Sequence, residues 1–247
     1  MIFNFKRECF FTIIILMTTV FTSTSYVLAE APDSGLDISA DHGELNLQTS
    51  IRRLEGNVLL KHLGIVINGE FAEVQPASDN NLERFIISGT PVKFEQNLES
   101  INLTAKTSQL VYTPSQELLE FQENVSLFQK MDNGAFEIHA GAMQLLLKQG
   151  KPFEFDAKGN PATFIHQLID KKVTIKAEQI IWDVQTQIAI LHQATVVDEL
   201  TSFSADKIEY NILTGGISAS GRGEQRPSYR YDAAKHKEQL NDVDNTQ

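Results

Sequence analysis

The segments Ile101-Asn102-Leu103-Thr104-Ala105 and Val173-Thr174-Ile175-Lys176-Ala177 carry apolar or small residues at odd positions and polar residues at even positions. Successive side chains of a β-strand point to opposite sides, so this period of two is typical of a strand with one buried face. Both segments end in the same apolar-x-Ala core. The alternation therefore predicts an all-β protein in which equivalent strands recur along the chain.

The apolar-x-Ala core marks an internal repeat whose copies are 28 to 37 residues apart. The copies contain Ala40, Ala72, Ala105, Ala140, Ala177 and Ala205. Most copies continue with alternating runs, a polar turn and a short break of small and polar residues, which predicts a β-hairpin and a following strand in each unit. The run from Ala142 to Lys148 has helical propensity, but it occupies a strand slot of the repeat and is predicted to be a strand.

The first 29 residues are predicted to be a secretory signal. Basic residues precede a largely apolar run over 10–21, and small residues lead up to Ala29. We expect cleavage after Ala29, which leaves an exported domain over 30–223 and a polar tail over 224–247. The tail has too few apolar residues to offset the entropy of ordering and is predicted to be disordered. An uncleaved segment that anchors the chain in a membrane is the alternative.

Composition excludes several classes of function. Lys and Arg number 21 against 32 Asp and Glu, a formal net charge of -11, and such a surface repels the phosphates of nucleic acid. The single Cys9 can form no internal disulfide, and the six histidines are too scattered for a metal-binding motif. The sequence has no nucleophile elbow, metalloprotease motif or phosphate-cradling glycine loop. It therefore predicts a non-enzymatic protein without metal or cofactor.

Several motifs resemble the periplasmic lipopolysaccharide-transport proteins of Gram-negative bacteria, the LptA family with its OstA-like domain. They are Ile38-Ser39-Ala40-Asp41, Leu54-Glu55-Gly56-Asn57-Val58, Gly159-Asn160-Pro161-Ala162-Thr163-Phe164 and Ser204-Ala205-Asp206-Lys207-Ile208-Glu209-Tyr210. The resemblance extends from about Leu36 to Gly223. The chain departs from the family by carrying about one or two additional repeat units, because Gly89-Thr90-Pro91-Val92-Lys93-Phe94 is an earlier copy of the third motif.

The resemblance implies a twisted, open β-jellyroll of antiparallel strands, a V-shaped or C-shaped trough that shields the acyl chains of lipopolysaccharide. It also implies stacking of such domains end to end, from an inner-membrane LptC-like protein to an outer-membrane LptD-like protein. An unpaired edge strand is a template for pairing with another chain. We expect the partner edges to contain Leu36 and Ile38 in the first strand and Ile208, Tyr210 and Ile217 in the last strands.

Apolar residues in matching repeat slots are the candidate contacts with the acyl chains. They are Ile38, Phe94, Leu103, Tyr112, Phe121, Ile138, Phe164, Ile175 and Trp182. An open, curved sheet packs its inner face less tightly than a closed sandwich, so these side chains are expected to face a groove that lipid keeps dry. The negative protein would repel an anionic head group, so the arrangement expected is tails inside and head outside.

Two alternatives stay open at this stage. The chain could be the membrane-anchored, LptC-like subunit of the same pathway, which would keep residues 1–29. It could also be a structural β-solenoid scaffold or adhesin with a filled interior and no lipid. N-terminal sequencing distinguishes the first alternative, and binding of a lipid A analogue distinguishes the second.

Overall fold

Alternating apolar and polar residues form strands through nearly all of the chain that the computed structural model describes. The structure describes residues 35–78, 82–98, 101–131, 134–168, 172–197, 201–221 and 226–231. The chain divides into two compact units, 1–31 and 32–247, and all described residues belong to the second. The predicted signal, with its cleavage site after Ala29, lies outside the described residues. Within those residues, no helix has the length and apolar character needed to cross a membrane.

Fourteen strands and one short 3-10 turn, Pro114–Gln116, make up the described secondary structure. The strands are β1 Asp37–Ser39, β2 His42–Leu45, β3 Arg52–His62, β4 Ile65–Gln75, β5 Arg84–Leu98, β6 Ile101–Thr113, β7 Leu118–Met131, β8 Gly134–Lys148, β9 Lys151–Leu168, β10 Lys172–Asp183, β11 Ile188–Val197, β12 Thr201–Asn211, β13 Ile217–Ser220 and β14 Ser228–Tyr231. The prediction of an all-β protein is confirmed, and the run from Ala142 to Lys148 lies in β8 as predicted.

The strands form one antiparallel sheet in which β3 to β12 each pair with their neighbours in the sequence. At the N-terminal end, β1 and β2 pair with the two halves of β3. At the C-terminal end, β13 and β14 pair with the two halves of β12. No described pairing joins the first strands to the last, so the sheet is open, as the sequence predicts.

Each long strand is interrupted near its middle, and the interruptions align across the sheet in a line that we call the crease. The crease consists of Gly56–Asn57, Gly69–Glu70, Gly89–Pro91, Ser108, Glu123–Asn124, Gly141, Gly159–Pro161, Glu178 and Gln193. Its members include residues with positive φ, such as Gly56 at 79° and Asn124 at 53°. β-Bulges of this kind bend a strand and disrupt the ladder locally. The crease therefore folds the sheet upon itself.

The crease also reverses which residues face the interior. In β9, the odd-numbered Phe155 and Ala157 are buried before the crease, and the even-numbered Ala162, Phe164 and His166 are buried after it. In β10, the buried positions likewise change from odd-numbered, as at Ile175, to even-numbered, as at Trp182. A one-residue shift moves a strand's side chains to the other face of the sheet. Because the strand also turns at the crease, both of its halves point their apolar side chains inward.

The two sides of the crease form two layers that face each other. Layer A contains the half-strands 52–55, 71–75, 84–88, 109–113, 118–122, 142–148, 151–158, 179–183, 188–192 and 207–211, with β2 and β13 at its ends. Layer B contains the half-strands 58–62, 65–68, 92–98, 101–107, 125–131, 134–139, 162–168, 172–177, 194–197 and 201–205, with β1 and β14 at its ends. Rings from the two layers meet between them: the Phe94 and Phe121 centroids are 5.4 Å apart.

The prediction of a disordered tail over 224–247 does not hold at Ser228–Tyr231, which form β14; residues 224–225 and 232–247 lie outside the described residues, and the prediction stays a prediction for them. Strand β14 pairs with Thr201–Ser204 of β12. The expectation considered only how much apolar surface the tail could bury. A short strand can instead be held by ladder hydrogen bonds to an available edge, and tyrosine is frequent in strands.

Candidate lipid-binding interior

All nine candidate lipid contacts lie between the layers or at the end of layer B. Eight of them are buried with at most 1% of their surface exposed, and Ile38 in β1 is partly buried against the same core. Phe94, Leu103, Ile138, Phe164 and Ile175 belong to layer B, and Tyr112, Phe121 and Trp182 belong to layer A. The repeat slots thus identified inward-facing positions on both layers.

These side chains pack against one another and do not line an open groove. The core cluster runs without a break from Val58 in β3 to Ile212 after β12. The sequence argument assumed that an open sheet leaves its inner face loosely covered. The crease changes this, because it lays one half of the sheet over the other and each half covers the other's apolar face. Contact of the nine residues with lipid stays a prediction.

An aromatic cluster fills the C-terminal half of the interior. The Trp182 ring stacks on Phe155 at 4.8 Å and meets Phe136 of layer B edge-on at 4.5 Å. Phe164 lies 5.9 Å from Phe136 and 5.6 Å from Tyr210. Sequence reasoning selected Phe164 and Trp182 but missed Phe136 and Phe155. Phe136 and Phe155 lie at buried positions of the same period-two alternation, so this pattern could have identified them.

Two histidine–tyrosine pairs connect the layers. His166 Nδ1 of layer B and the Tyr210 hydroxyl of layer A are 2.7 Å apart, and His62 Nδ1 lies 2.5 Å from the Tyr112 hydroxyl. Burial lowers the pKa of His166, because a low-dielectric interior disfavours the imidazolium. Burial also raises the pKa of Tyr210 to about 12. Both residues are therefore neutral at physiological pH.

Three buried polar side-chain atoms have no hydrogen-bond partner among the described residues: Gln96 Oε1, His166 Nε2 and Trp182 Nε1. The amide nitrogen of Gln96 is paired, because its Nε2 donates a hydrogen bond to the Gly150 carbonyl at 2.6 Å. Leaving a buried donor or acceptor unpaired costs about 1–3 kcal/mol. The interior is thus apolar in bulk but contains three unsatisfied polar atoms.

The two ends of the sheet correct part of the edge assignment. Ile38 lies in β1, preceded by Leu36, and Ile217 lies in β13, and both strands are ends of the described sheet. The assignment is wrong for Ile208 and Tyr210, because β12 pairs with β11 on one side and with β13 on the other. The sequence predicts that the strand pair over 203–219 forms the last edge, whereas β12 is covered by β13 and β14.

A cavity of about 340 Å³ lies at the C-terminal end of the sheet. Val173, Val196 and Phe203 form its apolar wall, and Lys172 and the exposed Tyr229 lie at its rim. A second cavity, of about 330 Å³, lies near the N-terminal end among β2 to β5. It includes the Arg53–Glu73 ion pair. The lining of the C-terminal cavity is therefore the more apolar of the two.

The sequence model of a family described as "LptA/(LptD N-terminal domain) LPS transport protein" matches residues 37–135 and 130–216. The chain belongs to this family. The two LptA/LptD N-terminal matches together extend from β1 to the residue before β13. The resemblance to the LptA family that the sequence motifs indicate is confirmed. The family consists of transport proteins, so the chain is a component of lipopolysaccharide transport and not an enzyme.

Among solved structures, the LptA-like chain is similar to one described as LptH, the LptA-homologous periplasmic component of the lipopolysaccharide transport device from Pseudomonas aeruginosa. The alignment covers 81% of this chain and 96% of that one, at 11% identity and a TM-score of 0.36. No curated protein matches the sequence.

Proposed function

We propose that this protein is a periplasmic carrier that holds the acyl chains of lipopolysaccharide between its two layers and bridges an inner-membrane and an outer-membrane transport complex. The observation that carries the proposal is the apolar interior, which continues from β3 to β12 while the sheet stays open at both ends. An interior of this form is a continuous low-dielectric path along the molecule. Membership in a lipopolysaccharide-transport family supports lipopolysaccharide as the cargo.

Burial in such an interior offsets the cost of taking acyl chains out of a membrane or micelle. Each buried methylene contributes about 0.8 kcal/mol, so a chain with ten buried methylenes gains about 8 kcal/mol relative to water. Because side chains fill the interior in this structure, loading must separate the layers and replace contacts such as Phe94 with Phe121 by contacts with lipid. The exchange replaces one apolar contact by another, so its free-energy cost is smaller than that of exposing the core to water.

The charge of the protein orients the cargo. A formal net charge of -11 disfavours close approach of the anionic phosphates of the head group, while the apolar interior favours the tails. The head group therefore stays outside the layers. In this arrangement the protein needs no basic phosphate-binding site.

The bridge follows from the two ends of the sheet. At one end β1 and β2, and at the other β13 and β14, present backbone groups that a further strand can pair with. Contacts between unlike ends do not close on themselves and generate chains of molecules. We therefore place LptC-like and LptD-like partners, and further copies of this chain, at these ends. Export by the signal over 1–29, with cleavage after Ala29, delivers the domain to the periplasm.

Photo-crosslinking to lipopolysaccharide tests the proposal. A photoreactive amino acid is introduced at Phe94 or Phe164, which face the interior, and in separate variants at the adjacent outward residues Lys93 or Thr163. We expect lipid adducts from the inward pair and few from the outward pair. Circular dichroism establishes that each variant retains its strands. Equal adduct yields from inward and outward positions would contradict the proposal.

A structural scaffold is the second candidate, and the packed interior is the observation that favours it. Eight of the nine candidate contacts are already covered by protein. A scaffold of this kind would form no adducts from Phe94 or Phe164 and would not solubilise lipid A. The same crosslinking experiment therefore decides between the two functions.

A further inference from the structure

The margins of the two layers that lie opposite the crease meet in a line that we call the seam. At the crease, the backbone runs continuously from one layer to the other. At the seam, the turn after β3 contacts the turn after β8: a Cβ built on Gly150 would lie 3.1 Å from the Leu63 Cβ. Towards the C-terminal end, a Cβ on Gly215 would lie 3.7 Å from the Leu168 side chain. The described margins of the two layers are therefore in contact at these two places.

Side-chain contacts hold the seam. The described hydrogen bonds across it are the His62–Tyr112 pair, the Gln96 amide to the Gly150 carbonyl, and the His166–Tyr210 pair. All of them join a residue of layer B to a residue of layer A or to one of its turns. In the described part of the chain, no backbone-to-backbone hydrogen bond crosses the seam. Strand ladders close the other long sides of the interior.

The closed seam leaves polar atoms unsatisfied. Gln96 Oε1 and His166 Nε2 belong to residues that hold the seam, and both are buried without a hydrogen-bond partner among the described residues. Buried unpaired groups destabilise the arrangement that contains them. Opening the seam would give these atoms access to water or to oxygen atoms of a ligand. The closed seam is thus held by few hydrogen bonds, and it carries a cost that opening relieves.

The amphiphilic structure of the cargo favours the seam as the path by which its tails enter the interior. An amphiphile with several tails inside and a polar head outside can move along the interior only where a slit follows its path. The ends of the sheet admit tails but provide no slit for the head. The crease cannot open, because the backbone of each long strand crosses it. The seam is the long boundary that no ladder closes in the described part.

We propose that the seam is a lateral gate, through which acyl chains pass into the interior sideways, and that His62–Tyr112, Gln96–Gly150 and His166–Tyr210 are its latches. This inference rests on the proposed function. The latch residues are positioning residues, since they hold the two margins together and set how readily the margins separate. Threading of tails through the ends of the sheet is the competing route.

A reversible lock tests the gate. Leu63 and Gly150 are replaced by cysteine in a Cys9→Ser background, so that no other thiol is present. A disulfide needs Cβ atoms about 3.8 Å apart, so the 3.1 Å separation requires the turns to move by less than an ångström. Leu168→Cys with Gly215→Cys is a second pair to try if the first disulfide does not form, because a Cβ on Gly215 would lie 3.7 Å from Leu168 Cδ1. The control is Thr195→Cys with Ser204→Cys on adjacent strands of layer B, where the native hydroxyls are 2.9 Å apart.

The readout is co-elution of radiolabelled lipid A with the protein after mixing with lipid A micelles. We expect the oxidised lock to load at least tenfold less lipid than the same variant after reduction, and lipid loaded before oxidation to be retained. The control disulfide should not change loading. Tyr210→Phe, which removes one latch hydroxyl, should load about threefold faster and reach the same final amount.

Equal loading by the oxidised and reduced locks would overturn the gate and favour threading through the ends. An unchanged loading rate for Tyr210→Phe would overturn the latch assignment. Failure of the unmodified protein to bind lipid A at all would contradict the proposed function itself. The two inferences therefore fail in different arms of the experiment.

Discussion

Phe155→Ala should destabilise the protein far more than Phe153→Ala, although the two residues lie two positions apart in β9. Phe155 is fully buried and stacks on Trp182 at 4.8 Å with an interplanar angle of 10°. Truncating a buried phenylalanine costs about 3–5 kcal/mol, through lost burial and the cavity left behind. Phe153 is only partly buried, and its ring lies under the Lys148 ammonium at 5.2 Å. Loss of that contact costs about 0.5–1 kcal/mol.

Urea unfolding measures the difference. For a slope of about 2–3 kcal/mol/M, Phe155→Ala lowers the urea midpoint by about 1–2 M, and Phe153→Ala lowers it by less than about 0.5 M. Trp182 is the single tryptophan of the chain, so its fluorescence reports on this part of the interior in both variants. Equal midpoint shifts would refute the packed, two-layer interior, because they would mean that the buried Phe155 contributes no more to stability than the partly exposed Phe153.

Three further outcomes are expected. Trp182→Phe should cost less than about 1 kcal/mol in urea unfolding, because the lost ring volume is offset by removal of an indole N–H that has no described partner. The lowered pKa of His166 means that the unfolded state binds more protons near neutral pH. Its contribution to the free energy of unfolding is therefore lost as pH falls below about 6.5, and unfolding curves of His166→Gln should show a weaker pH dependence. Ile217→Pro, on a terminal strand, should leave the fold intact and reduce end-to-end association in light scattering, whereas Ile208→Pro, in a strand paired on both sides, should cost about 3 kcal/mol or more.

Alternation of apolar and polar residues was sufficient to predict the strands and the inward-facing positions. It reports which face of a strand is buried, and for this reason Phe94 and Phe164 lie inside as expected. It does not report which residue of the opposite layer a side chain meets. The pairing of His166 with Tyr210, 44 residues later in the sequence, depends on where the crease folds the sheet. No local pattern contains that information.

The errors at the C-terminal end have a common physical origin. The sequence argument judged the polar tail by its apolar content, so it missed β14 and treated β12 as a terminal strand. Pairing at a sheet edge depends on backbone hydrogen bonds, which every residue except proline can donate. Composition therefore identifies the core of this fold more securely than it identifies where the sheet ends.

Because of the crease, the number of hairpins in the chain sets the length of the interior. Each hairpin crosses the crease twice and returns to the layer in which it began, so one more hairpin would lengthen both layers equally and leave the terminal strands unchanged. Strands lie about 4.8 Å apart, so each hairpin adds about 10 Å, and the ten strands from β3 to β12 extend about 43 Å across the sheet. The number of repeats thus sets the length of the molecule. Duplication of a hairpin would lengthen it by a fixed increment and leave its terminal strands unchanged.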